Sequence, residues 1–271
     1  MRQELSVAIE IAHDAGEIIR ENFGKLQQVN YKGDVNPVTE TDTAAESLIL
    51  SRLEAAFPHH RILGEESGGS DWQTDDPIWL VDPLDGTNNF AHGFPHICVS
   101  LALWVDQEPL VGVIYDPLRD ETFAAEKDGG ATLNGHSIHV SAVAELARAF
   151  LATGFPYARR VAADNNTRRL DHFLRRSEGV RRAGAAALDL AYVACGRFDG
   201  YWEGGLHPWD VAAGILLVQE AGGRASNYVG AWEAILSGEE IVASNGHIHE
   251  QMLRVLREGA AAPHPDFPAL S

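Results

Sequence analysis

Residues 79–90 read WLVDPLDGTNNF. The apolar run 78–81 predicts a buried strand with Asp82 at its end. Pro83 fixes its own φ and stiffens the turn. Asp85 follows about one turn later and can aim its carboxylate at the same point as Asp82. Two carboxylates held that close repel, and one pKa must rise. A divalent cation removes the penalty. Mg²⁺ takes carboxylates, backbone carbonyls and water, and leaves room for a substrate phosphate. The Leu84 carbonyl, between the two aspartates, is a natural further ligand. Gly86 lets the backbone approach a ligand closely. Thr87 adds a hydroxyl, and a helix starting there would turn free N–H groups toward a phosphate. The same residues also fit a strand that ends in an Asx turn and a helix cap.

Other acids stand in similar settings. ILGEESG, residues 62–68, is a short apolar run ending at Glu65 and Glu66. HPWDVAAG, residues 207–214, puts Asp210 before an apolar helix pattern. VTETD, residues 38–42, puts Asp42 just before a helix. Each has a plain structural reading as well: a solvated turn, an acid that complements a helix dipole, and an N-cap.

These acids need elements to hold them. Leu5, Ala8, Ile9, Ala12, Ile19 and Phe23 have helical spacing, with Gly24 as a stop. Residues 25–40 read as a loop or short hairpin. A second helix starts near Thr43, where Thr43 and Glu46 match a capping box, and Pro58 ends it. Residues 60–130 alternate short apolar runs with turn signals, which predicts a largely antiparallel sheet. From residue 149 strand-like and helix-like segments alternate, as in an α/β unit. The helical segments are residues 157–177, 185–195, 208–221 and 247–257. We therefore expect an α+β half over residues 1–145, an α/β half over 146–258, and a flexible tail over 259–271.

In this order and spacing, GEES, WLVDPLDGTNNF and PWDVAAG resemble the inositol monophosphatase family of metal-dependent phosphomonoesterases. The resemblance runs from about residue 5 to residue 257. It implies a layered αβαβα sandwich of the inositol monophosphatase and sugar phosphatase type. It implies one Mg²⁺ held by Glu65, Asp82 and the Leu84 carbonyl. A second would be held by Asp82, Asp85 and Asp210, and a third, weaker ion would sit near Glu65. The amides of Gly86 and Thr87 would hold the phosphate. Thr87 and Asp42 would orient an attacking water for in-line displacement, with Asp42, Glu65 and Thr87 as the catalytic set. Lys32 matches a basic residue near the site, Glu203 a carboxylate that contacts substrate hydroxyls, and Ala186 a backbone contact. Lys32 equally reads as a solvated loop lysine, and Glu203 as a strand-end carboxylate at the surface. Asn36 and Ala185 depart from residues frequent in the family.

The implied reaction is Mg²⁺-dependent, lithium-sensitive hydrolysis of inositol-1-phosphate. Histidinol phosphate, fructose-1,6-bisphosphate and 3′-phosphoadenosine 5′-phosphate are alternative esters. A regulatory, protein-binding role on the same fold is a second alternative. The formal net charge of −18 argues against direct nucleic-acid binding. No apolar stretch is long enough for a membrane span, and MRQELSVAIE has no apolar signal core. We expect a cytoplasmic homodimer acting on a small phosphate ester. Cys98 and Cys195 read as buried, reduced thiols. His247-x-His249 reads as a surface pair, since no third soft ligand lies nearby.

Overall fold

In the computed structural model the described residues are 2–25, 29–32, 36–68, 76–106, 108–157, 165–232, 235–237 and 239–260. The tail expected over 259–271 lies outside them from residue 261, and residues 259 and 260 are helical. Helix α1 (Gln3–Asn22) buries Leu5, Ala8, Ile11, Ala12, Ala15 and Ile19 on one face. Ile11 takes the buried place expected of Ile9. Strands β1 (Val29–Lys32) and β2 (Asn36–Thr39) pair antiparallel as a hairpin. Helix α2 spans Glu40–Ala56.

The start of α2 differs from expectation. Thr39 is its N-cap, and Asp42 is the third helical residue. Asp42 closes a capping box with Thr39, so Thr43 and Glu46 are not one. Two overlapping S/T-x-x-acid patterns stand here, and the earlier one wins because β2 delivers Thr39 in extended conformation.

Seven strands form the larger sheet: β3 (Arg61–Gly64), β4 (Ile78–Asp85), β5 (Cys98–Val105), β6 (Glu108–Asp116), β7 (Glu121–Glu126), β8 (Gly130–Leu133) and β9 (His136–Ser137), in that spatial order. Strands β3 and β4 are parallel and every later pair is antiparallel. A short helix, α3 (Thr87–Ala91), leaves the end of β4. The second sheet has the order β11-β10-β12-β14-β13. It is built from β10 (Phe150–Thr153), β11 (Gly179–Arg181), β12 (Gly200–Gly204), β13 (Arg224–Ser226) and β14 (Glu240–Ser244). Strands β11, β10 and β12 run parallel, and β14 and β13 join antiparallel. Among its helices, α4 covers only Thr167–Leu174 of the longer helix expected there, and residues 158–164 lie outside the described ones. Helices α5 (Ala186–Ala194), α6 (Pro208–Glu220) and α7 (His249–Ala260) follow expectation closely.

Side-chain alternation assigns the layers. In β4, Trp79 and Val81 pack with α1 and α2, whereas Ile78 and Leu80 pack with α5 and α6. In the second sheet, Tyr201 and Ile241 face α5 and α6, whereas Trp202 and Val242 face α4 and α7. The order is thus α1α2, sheet, α5α6, sheet, α4α7: an αβαβα sandwich. Both sheets are covered on both faces, which is why their strands read as continuous apolar runs.

His249 corrects the expected surface pair. His247 is exposed, but His249 is fully buried and its ring nitrogens bond the hydroxyls of Ser226 and Ser244, each at 2.9 Å. Burial pushes the imidazole pKa down to about 4. Both cysteines are free; Cys98 is buried and Cys195 is partly exposed rather than buried. Among the described residues no helix is long and apolar enough to cross a membrane.

Candidate active site

A bulge in β4 sets the first pair of acids. Asp82 lies opposite Ser100 and Asp85 opposite Cys98, so three steps on β4 match two on β5. Residues three apart on a regular strand face opposite sides of a sheet. One extra residue turns both aspartates to the side of α5 and α6. Pro83 occupies the bulge, where the ladder needs no N–H.

The helices on that side meet the acids with their N-terminal turns. The Asp85 carboxylate accepts the Ala187 amide at 2.7 Å, so it caps α5, whose own N-cap Ala185 offers no side-chain oxygen. Asp210 lies in the first turn of α6 and accepts the His207 amide at 2.7 Å through one oxygen. Pro208 starts that helix, where a missing N–H is harmless. Gly86 caps α3 at φ +93°, a left-handed conformation. A Cβ there would also lie 2.9 Å from the His96 carbonyl oxygen.

Glu65, in the turn after β3, completes the group. Glu65, Asp82 and Asp210 each present an oxygen within 4.8 Å of the other two. Asp82 is buried, and its pKa stands well above the usual carboxylate range. Burial is the main cause, followed by the fields of Glu65, Asp85 and Asp210. Asp210 is raised for the same reasons, burial first and then Glu65 and Asp85. Asp85 is raised to about 6 by burial, against the pull of the Ala187 amide. The donors are hard oxygens that raise one another's pKa, and they lie within 4.8 Å of each other, close to the ~4.2 Å span of a Mg²⁺ shell. The set fits a hard divalent cation.

Beside this group stands the second predicted pair. The Thr87 hydroxyl lies 2.8 Å from one Asp42 oxygen and 3.1 Å from the Leu84 carbonyl, and it can donate to either. The other Asp42 oxygen accepts the Thr39 amide at 2.8 Å and the Thr39 hydroxyl. Burial raises the Asp42 pKa, and the Thr39 hydrogen bonds oppose it.

One cleft of about 410 Å³ is lined by Glu65, Asp82, Leu84, Asp85, Gly86, Thr87, Ala186, Glu203 and Asp210, and Asp42 reaches it through Thr87. Glu203 is buried in β12 rather than standing at the surface. It accepts the Tyr201 hydroxyl, and burial lifts its pKa to about 7. A Cβ at residue 154 would overlap its carboxylate, so Gly154 is needed for Glu203 to sit there. Lys32 has its backbone in β1, and its side chain lies outside the described residues. Arg182, not anticipated from the sequence, also lines the cleft, and its field pulls the Glu203 pKa down against burial. Thr39 was missed too, although the T-x-x-D pattern in VTETD signals it.

The profile of the inositol monophosphatase family matches residues 1–261. The chain belongs to the inositol monophosphatase family. A Synechocystis protein named inositol-1-monophosphatase is 47% identical over 261 residues, which cover 96% of this chain and 89% of that protein. A Pseudomonas aeruginosa protein named Nus factor SuhB is 43% identical over 268 residues, covering 95% and 97%. The solved structure of inositol monophosphatase from Anabaena superposes with a TM-score of 0.85 at 45% identity, covering 94% of this chain and 95% of that one. The family consists of metal-dependent phosphatases, and the acidic group above is where this member can bind a metal.

Proposed function

We propose that this protein hydrolyses inositol-1-phosphate to inositol and phosphate with Mg²⁺, using Glu65, Asp82, the Leu84 carbonyl, Asp85 and Asp210 as ligands for two to three ions. The observation that carries the reading is the shared cleft: three converging carboxylates, the Thr87 hydroxyl paired with Asp42 behind it, and the buried Glu203 carboxylate in the same lining. Bound Mg²⁺ would neutralise the carboxylates and the phosphate oxygens and lower the pKa of a water.

The chain's own residues do the rest. The N-terminal turns of α3, α5 and α6 border the cleft, and the positive ends of their dipoles favour an anion there. The Gly86 and Thr87 amides receive the phosphate. With its proton directed to Asp42, the Thr87 oxygen keeps a lone pair for a water in the cleft. Asp42, raised by burial, is the better proton acceptor for it. Glu203 accepts a hydroxyl of the polyol and orients the leaving alkoxide, and Ala186 adds a backbone contact. Lys32, the basic residue matched by the family's pattern, serves the substrate side of the site. We place the enzyme in the cytoplasm as a homodimer.

Phosphate release from inositol-1-phosphate, histidinol phosphate, fructose-1,6-bisphosphate and 3′-phosphoadenosine 5′-phosphate, with and without Mg²⁺, tests this reading. We expect Mg²⁺-dependent turnover highest on inositol-1-phosphate and lost in Asp82→Asn. A higher kcat/KM on another ester would reassign the substrate. The name of the Pseudomonas relative supports a second reading, a regulatory role through a protein partner. In that case the Asp82→Asn variant would keep its biological effect.

A further inference from the structure

Glu46 lies one helical turn after Asp42 on the same face of α2 and is buried. Its carboxylate does not cap its own helix. One oxygen accepts the Glu66 amide, the Ser67 amide and the Ser67 hydroxyl, each at 3.1 Å. These donors belong to the turn that carries Glu65. In the same turn the Glu65 amide donates to the Val81 carbonyl of β4 at 3.1 Å, and the Gly68 amide to the Gly64 carbonyl at 3.2 Å. Residue 64 is glycine where a Cβ would overlap that same Glu46 oxygen. Two independent features, a triply used acceptor and an empty space kept for it, thus converge on one atom.

We infer that Glu46 is a positioning residue for Glu65: it fixes the 65–67 turn against α2, so that the Glu65 carboxylate meets Asp82 and Asp210. The inference rests on the metal-binding reading proposed above. One face of α2 then does two jobs. Asp42 orients Thr87 on the phosphate side, and Glu46 sets the ligand turn on the metal side. Without Glu46, two backbone amides lose this acceptor, and the turn keeps its backbone bonds at Glu65 and Gly68 but loses this tie to α2. Glu65 would spend less time in the converging geometry, and the cation would be held less tightly.

Mn²⁺ titration of the metal-free protein, followed by electron paramagnetic resonance of free Mn²⁺, reads this directly. Glu65→Gln is the control that should weaken binding strongly. We expect Glu46→Ala to raise the Mn²⁺ Kd at least tenfold and Glu46→Gln, which keeps the acceptor oxygen, to stay within threefold of wild type. In turnover, Glu46→Ala should need more Mg²⁺ for half-maximal rate while keeping most of kcat at saturating Mg²⁺. Wild-type Mn²⁺ affinity in Glu46→Ala, or equal weakening in both variants, overturns the inference and leaves the functional reading intact. Should Glu46→Ala not fold, Ser67→Ala removes one donor at an exposed position. It is expected to weaken Mn²⁺ about threefold with an unchanged Tm, and an unchanged Kd overturns the inference. No Mn²⁺ binding by wild type, or none lost in Glu65→Gln, overturns the functional reading and this inference with it.

Discussion

Replacing Gly154 by alanine tests the polyol side of the cleft without touching a metal ligand. The new Cβ would fall inside van der Waals distance of both Glu203 carboxylate oxygens. Restoring ordinary contact requires Glu203 to retreat by about 1 Å or more. It cannot retreat freely, because β12 fixes its backbone between β10 and β14 and Tyr201 holds one oxygen. The substrate hydroxyl loses its acceptor. A hydrogen bond to a charged group contributes roughly 1.5–3 kcal/mol, and about 1.4 kcal/mol is tenfold, so kcat/KM for inositol-1-phosphate should fall roughly 10- to 150-fold. The decisive comparison is p-nitrophenyl phosphate, which has no polyol hydroxyls. Its kcat/KM should change less than threefold, as should Mg²⁺ dependence. Equal losses on both substrates would refute the reasoning, because the damage would then lie at the phosphate and not at Glu203.

Thr87→Ala removes the hydroxyl that Asp42 receives, and should lower kcat about 100-fold or more with Mg²⁺ affinity within threefold, as measured by Mg²⁺ titration of the rate. Asp210→Asn keeps the helix cap but removes a charge from the carboxylate group. The Mg²⁺ needed for half-maximal activity should rise at least tenfold, with an unchanged far-ultraviolet dichroism spectrum. In metal-free protein Asp85 and Glu203 hold protons to about pH 6 and 7, against 3.8 and 4.5 for the free groups. A raised folded-state pKa gives stability that is present at low pH and lost as pH rises through the folded value. Chemical denaturation should therefore show metal-free protein losing stability between about pH 4 and 7, and added Mg²⁺ should stabilise far more at pH 8 than at pH 5. Gly86→Ala places a β-carbon at positive φ against the His96 carbonyl, and should lower stability by about 1–3 kcal/mol in urea unfolding.

Much of this architecture was legible in the chain. The strands from Arg61 to Glu126 announce themselves as apolar runs between turn residues, since both faces of the sheet are covered. Asp82, Asp85 and Asp210 are legible because each sits where an element ends or begins. What stayed hidden depends on partners distant in sequence. Glu46 looks like a local capping residue, and only the packing of α2 on the 64–67 turn reveals its use. His249 looks like a surface residue because the serines that satisfy it come from β13 and β14. Gly154 carries no signal of its own until Glu203 is placed beside it.

The middle helical layer has a consequence for the chain as it is made. Asp210 follows Asp82 by 128 residues, from 210 − 82, and synthesis proceeds at about 5–20 residues per second. For roughly 6–25 s after Asp82 appears, the nascent chain carries Glu65 and Asp82 but not the third carboxylate. The full crowding of charge comes only once α6 takes its place between the two sheets. A divalent cation held by all three carboxylates can therefore be captured only after α6 is in place.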